Sequence, residues 1–249
     1  MSTGTVSATV AETGGPGAPG PAHRSRRTAP IRAVLRFLGA VAMVSGALLV
    51  ADAAATLIWQ EPVSALLAGR AQARLGQRLL RSTAAVAVDR RRVAREPHPR
   101  RRLATMAARY GARLRTGDPV GRIRLPTLGR SYVVVQGTDT GSLREGPGHY
   151  PSTPFPGQRG TVAVAGHRTT YGAPFRPIDQ LRPGDPVTMV MPYGRFTYRV
   201  QYTRIVMPTA LWVTNRVGYD RLILSACHPL YSAARRIVVF ARLARAEPA

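Results

Sequence analysis

Lysine is absent from this sequence. All 36 basic residues are arginine, and only 12 acidic residues oppose them, leaving a net charge of +24. Such an excess implies attraction to anionic partners, among them phospholipid head groups, cell-wall polymers and nucleic acid, without choosing between them. Cysteine is nearly absent too. With Cys227 alone, an intramolecular disulfide is impossible and a cysteine-based metal cluster is not expected, so whatever Cys227 does it does as a thiol. The few carboxylates form no convincing cluster for a divalent cation, and no glycine-rich loop follows a strand and opens a helix to cradle phosphate. The expectation is therefore no metal and no organic cofactor. No ordered aromatic or helix-turn-helix pattern accompanies the charge, so no specific nucleic-acid partner is expected.

The chain divides by texture. Residues 1–30 are rich in Gly, Pro, Ser, Thr and Ala without hydrophobic periodicity, and read as a disordered basic tail. Residues 31–59 read as one transmembrane helix, apolar from Phe37 to Trp59 apart from Asp52 and a few small polar residues. Asp52 costs about 2.5 to 3.5 kcal/mol at a helix centre on the insertion scale. A cleaved signal peptide ending near Ala53-Ala54-Ala55 and a buried core helix are the alternatives. Arg24, Arg26, Arg27, Arg32 and Arg36 precede the span and favour a cytoplasmic N-terminus, with the rest of the chain outside the cell membrane.

Residues 60–117 read as a juxtamembrane helix over Glu61 to Val88, with Leu66, Leu67, Leu75, Leu79 and Leu80 available for a stripe, followed by an arginine-rich linker. The Asp89 to Arg102 stretch, interrupted by Pro97 and Pro99, is read either as lying against anionic lipid or wall polymer or as a solvated spacer. From residue 118 to 249 the pattern changes to short runs rich in β-branched residues between Gly and Pro: 122–125, 131–135, 161–165, 187–191, 196–206, 222–225 and 237–243. Seven or eight short strands predict an all-β domain closed into a barrel, with a short helix over Thr138 to Arg144.

Two of these runs end on reactive side chains. Leu222 to Ala226 delivers Cys227 to a loop mouth, and Thr161 to Gly166 delivers His167. An imidazole beside a thiol can hold it as thiolate and later pass the proton to a leaving amine. Taken alone, each is more often structural, Cys227 as a small buried hydrophobe and His167 as a hydrogen-bonded surface or core histidine. Arg236 opens the last run nine positions beyond Cys227. If 229–234 turns the chain back into an antiparallel neighbour, its guanidinium reaches the thiol and can stabilise an oxyanion, while Arg235 points the other way.

The segment Leu222-Ile-Leu-Ser-Ala-Cys227-His-Pro, followed by Arg236, resembles the Thr-Leu-x-Thr-Cys... Arg signature of sortases. Upstream, Gly146-Pro-Gly-His149-Tyr-Pro, Ala165-Gly-His167-Arg168, Ala173-Pro-Phe-Arg176-Pro and Leu181-Arg-Pro-Gly-Asp185 occur in the family's order, and together they look most like the class E sortases of actinobacteria. The resemblance implies an eight-stranded sortase barrel and a catalytic trio of Cys227, His167 and Arg236. It also implies substrate contacts from His149, Arg168, Ala226 and His228, with His149 structural or groove-lining. The implied reaction cleaves a Leu-Pro/Ala-x-Thr-Gly-like sorting signal between Thr and Gly and joins the protein to a cell-wall precursor amine or a pilin lysine. Two departures stand out: Ala226 where the family has Thr, and Thr169-Thr-Tyr-Gly172 after the histidine. A thiol hydrolase and a non-enzymatic, membrane-tethered basic binding module are the competing readings.

Overall fold

The computed structural model describes residues 28–58, 62–93 and 95–249; the tail over residues 1–27 lies outside them. The chain divides into two compact units, residues 1–49 and 50–249. Helix α1, Thr28–Ile58, contains a 24-residue apolar stretch, Ile31–Ala54, long enough and apolar enough to cross a membrane. Twenty-four helical residues rise about 36 Å, more than the roughly 30 Å of a bilayer's hydrocarbon. Phe37 and Met43 stand 69% and 76% exposed, so the core-helix alternative fails.

In the second unit, α2 (Pro62–Val93) and α3 (Pro99–Gly111) precede eight strands: β1 (Pro119–Leu125), β2 (Arg130–Gln136), β3 (Gly148–His149), β4 (Thr161–Ala165), β5 (Pro186–Met191), β6 (Gly194–Val206), β7 (Arg221–His228) and β8 (Arg235–Pro248). The short helix α4, Thr140–Glu145, joins β2 to β3, its first turn capped by the Asp139 carboxylate accepting from Ser142 N–H. The strands close into a barrel in the order β1-β2-β3-β4-β7-β8-β6-β5. Closure leaves no edge exposed.

Alternation along the strands builds the core. Val162 and Val164 of β4, Leu222, Leu224 and Ala226 of β7, and Ile237 and Val239 of β8 belong to the main interior cluster with Ile123, Leu125 and Phe196. The residues between them, Ala163, Ile223, Val238 and Phe240, form a second cluster on the outer face, covered by Tyr150, Val206 and Val213. Strands β4 and β7 are thus buried on both faces, which explains their unbroken apolar runs.

The segment read as an arginine-rich linker is folded instead. Helix α2 continues to Val93, and α3 starts at Pro99, where the missing N–H costs nothing because it would have no partner in a first turn. Leu103, Met106, Ala107 and Tyr110 of α3 recur at helical spacing and are buried in the barrel's main cluster. Asp89 near the end of α2 is buried and ion-paired with Arg113 at 2.6 Å and Arg109 at 3.8 Å. Closer to the helix start, the Gln72 amide behaves like an added strand residue. It accepts from Val133 N–H at 2.7 Å and donates to Val133 O at 3.0 Å and Glu145 O at 2.9 Å.

Candidate active site

Strand pairing brings the three reactive side chains to one end of the barrel. Strands β4 and β7 run parallel with Ala165 beside Ser225, and Gly166 N–H donates to Ser225 O at 3.0 Å. His167 and Cys227 therefore leave the sheet at the same end. Strands β7 and β8 are antiparallel, with Cys227 opposite Arg236 and His228 opposite Arg235. Directly opposed residues share a face, with Cβ atoms about 4.5 to 5.5 Å apart. Because Ala226 and Ile237 face the interior, Cys227 and Arg236 face outward, in line with Ile223, Val238 and Phe240.

Local structure fixes each side chain. Cys227 is a free, half-buried thiol. The Arg236 Nη1 donates to the carbonyls of Ala233 and Arg235 at 2.9 and 3.0 Å, which steadies the guanidinium over the 229–234 loop and leaves its other nitrogens for an incoming oxygen. Gly166 is required before the histidine, since a Cβ there would sit 2.5 Å from the Phe175 ring. His167 is half buried, with its Nε2 enclosed and without a hydrogen-bond partner. A buried polar atom left without a partner calls for an explanation other than packing. Burial pushes the His167 pKa below its ordinary 6.5, and the Arg144 charge adds to the depression, both acting against the protonated imidazole.

The remaining residues separate into those at the site and those away from it. Arg168 is buried and donates Nε and Nη2 to the Arg176 carbonyl at 3.3 and 3.2 Å, pairs with Asp179 at 3.0 Å, and lies 3.2 Å from His228 Nδ1. It ties the loop after His167 to the residue after Cys227, a bracing role rather than an exposed binding surface. His228 is half buried beside it. Ala226 turns into the barrel interior at 3% exposure, because alternation sends it opposite to Cys227. His149 is fully buried, 2.9 Å from Gln136 Oε1 and 3.2 Å from Pro154 O, and stacked on Phe155 at 4.4 Å, so it braces the wall and lines no open groove.

Sequence reasoning passed over Tyr171. Its ring lies 5.1 Å from the His167 ring, Arg144 sits 5.5 Å from its centroid, and its N–H donates to Ser64 Oγ of α2 at 3.3 Å. Its φ of +50° is uncommon for a residue with a Cβ. The Thr-Thr-Tyr-Gly departure from the family pattern marked this loop, but nothing in it disclosed the contact with α2. Among the described residues no group of three or more His, Cys, Asp or Glu side chains is close enough to hold a metal ion.

The barrel finds its likeness among known proteins. The Sortase domain family model matches residues 123–244. Sortase D of Bacillus subtilis (strain 168) is 30% identical over 131 residues, covering 51% of this chain and 65% of that protein. The solved structure of sortase E from Streptomyces avermitilis is 35% identical, covers 54% of this chain and 93% of its own, and superposes with a TM-score of 0.50. Sortase E1 from Streptomyces coelicolor, solved with a tripeptide in the active site, is 26% identical over 53% of this chain and 91% of its own, with a TM-score of 0.51. The chain belongs to the sortase family. It spans slightly less than two thirds of the length of Sortase D.

Proposed function

We propose that this protein is a membrane-anchored cysteine transpeptidase, with α1 spanning the cell membrane, its N-terminus cytoplasmic and the barrel outside. The observation that carries the reading is the strand register that sets Cys227 opposite Arg236, with His167 at the end of the neighbouring parallel strand.

In this scheme the Cys227 sulfur attacks the carbonyl carbon of Thr in a Leu-Ala/Pro-x-Thr-Gly sorting signal. The C=O electrons move onto oxygen, where Arg236 donates hydrogen bonds to the developing charge. His167 holds the proton lost by the thiol and gives it to the departing glycine nitrogen as the C–N bond breaks. A thioester to Cys227 results. An amine, from a cell-wall precursor or a pilin lysine, then attacks that thioester; His167 takes its proton and the thiol is regenerated. No metal or organic cofactor enters any step.

Incubating the full chain in detergent with a peptide carrying Leu-Ala-x-Thr-Gly, with and without an added amine, tests this. Cleavage between Thr and Gly with an amide product that needs the amine is expected, and both are lost in Cys227→Ala and His167→Ala. Release of the acid in unchanged yield whatever the amine would make the enzyme a thiol hydrolase. Failure to convert any such peptide, with folding intact, would favour the basic binding module.

A further inference from the structure

Between α2 and the outer wall of β1 and β5 runs a groove of about 650 Å³, floored by Leu79 and Leu80 of the helix and by Val190 and Met191 of β5. Arg122 and Arg124 line it as well. They stand two apart on β1, so both face outward while Ile123 and Leu125 fill the interior. The groove meets a second hollow of about 310 Å³ at Gln72 and Arg122, and that hollow reaches Tyr171 and Gly172, just past His167. Arg122 is half buried, and among the described residues no carboxylate lies within ion-pair distance of it. Glu145 lines the second hollow as well, but among the described residues it forms no ion pair with Arg122, which leaves that guanidinium open to an anion.

The outer face of α2 narrows the kind of anion. Leu66, Leu67, Leu80 and Val88 stand 56 to 73% exposed there. They alternate with exposed Arg70, Arg74, Arg81 and Arg91, and the helix has one acidic residue, Asp89, which is buried and paired. Arginines interleaved with leucines on an acid-free helix face suit the boundary of head group and acyl chain. A soluble polyanion would satisfy the arginines and leave the leucines in water. Only residues 59–61 separate the end of α1 from the start of α2, so chain length alone keeps Pro62, the first residue of α2, within about 14 Å of Ile58.

We infer that the groove between α2 and β1–β5 binds an anionic phospholipid, with its phosphate on Arg122 and Arg124 and its hydrocarbon against Leu79, Leu80 and Val190. The inference rests on the function proposed above only in taking α1 as the membrane anchor that brings the lipid near, and the lipid sits away from Cys227.

Native mass spectrometry of the detergent-solubilised full chain tests it, with phosphatidylglycerol and phosphatidylcholine of matched acyl chains as probes. The wild type is expected to retain one phosphatidylglycerol in preference to phosphatidylcholine. Arg122→Gln should cut retention about fivefold, and Arg122→Lys should keep most of it. Gly76→Leu should also cut retention, because its side chain would enter the groove toward Arg122, whose guanidinium lies 3.6 Å from a Cβ at that position. Arg204→Gln, on the stretch of β6 that pairs with β8 and outside the lining of both hollows, serves as the charge-matched control and should change nothing. Equal retention by wild type, Arg122→Gln and Gly76→Leu would overturn the site and leave any lipid on α1 alone. Competition by glycerol 1-phosphate or a poly(glycerol phosphate) polymer as strong as that of the lipid would overturn it in favour of a simple polyanion site. Peptide turnover on the same samples is a separate readout: lost lipid retention with turnover intact counts against the lipid site only, and the reverse against the catalytic reading only.

Discussion

Arg236 and Arg235 are neighbours in sequence with different surroundings: one opposes Cys227, the other His228, and only Arg236 is held by two carbonyls of its loop. Arg236→Ala is therefore expected to lower kcat about 100-fold to 1,000-fold, the usual loss when one oxyanion donor is removed, while Arg235→Ala stays near wild type. Steady-state kinetics with a sorting peptide decides it, and equal damage from the two would show that the register does not govern the site. His149 makes a prediction about stability instead. Burial lowers its pKa to about 4, against an ordinary value of 6.5 in the unfolded chain. Below pH 6.5 the unfolded state binds a proton that the folded state refuses, so stability falls with falling pH until both states are protonated below about 4. The loss amounts to roughly 3 kcal/mol at 1.36 kcal/mol per pKa unit. Denaturant unfolding of wild type and His149→Gln at pH 7 and pH 4.5 checks this: the acid loss should shrink in the variant, and an equal loss in both would place the acid sensitivity elsewhere.

Elements differ in how far their sequences disclosed them. Seven strands were readable because β-branched residues alternate between Gly and Pro, and the pairing of Cys227 with Arg236 followed from an antiparallel return through residues 229–234. Strand β3 has two residues, Gly148 and His149, too few for any periodicity to register. Helix α3 was hidden by its own arginines: Arg100, Arg101 and Arg102 suggested a solvated stretch, although Leu103, Met106, Ala107 and Tyr110 carry the helical spacing that buries it. The side-chain direction of Ala226 and the clamp on Tyr171 were not readable, the first because it depends on which strand face closes the barrel, the second because α2 is distant in sequence. The contact of α2 with β2 is itself testable. Gln72→Ala removes three hydrogen bonds to backbone groups of Val133 and Glu145 and is expected to destabilise the protein by about 1 to 3 kcal/mol, as for a partly buried strand group left unsatisfied. Gln72→Glu should be comparably harmful, since a carboxylate cannot donate to the two carbonyls. A change within a few tenths of a kcal/mol would mean that α2 is not stitched to the barrel through this residue.

Over the whole molecule, the proposed function joins a net charge of +24 and an apolar N-terminal helix to three side chains drawn from three strand ends. A barrel closed by both parallel and antiparallel pairings brings residues 167, 227 and 236 to the same end of three neighbouring strands. Covalent capture of substrate is the claim on which the rest depends, and intact-protein mass spectrometry observes it directly. The full chain, mixed with a peptide carrying Leu-Ala-x-Thr-Gly and quenched in acid before any amine is added, should gain the mass of the peptide through its threonine, localised to Cys227. That adduct should disappear when an amine is supplied and should not form in Cys227→Ala. Folded protein that gains no adduct, with Cys227 inert to a small alkylating reagent until the chain is denatured, would instead make Cys227 a core residue and contradict the transpeptidase reading.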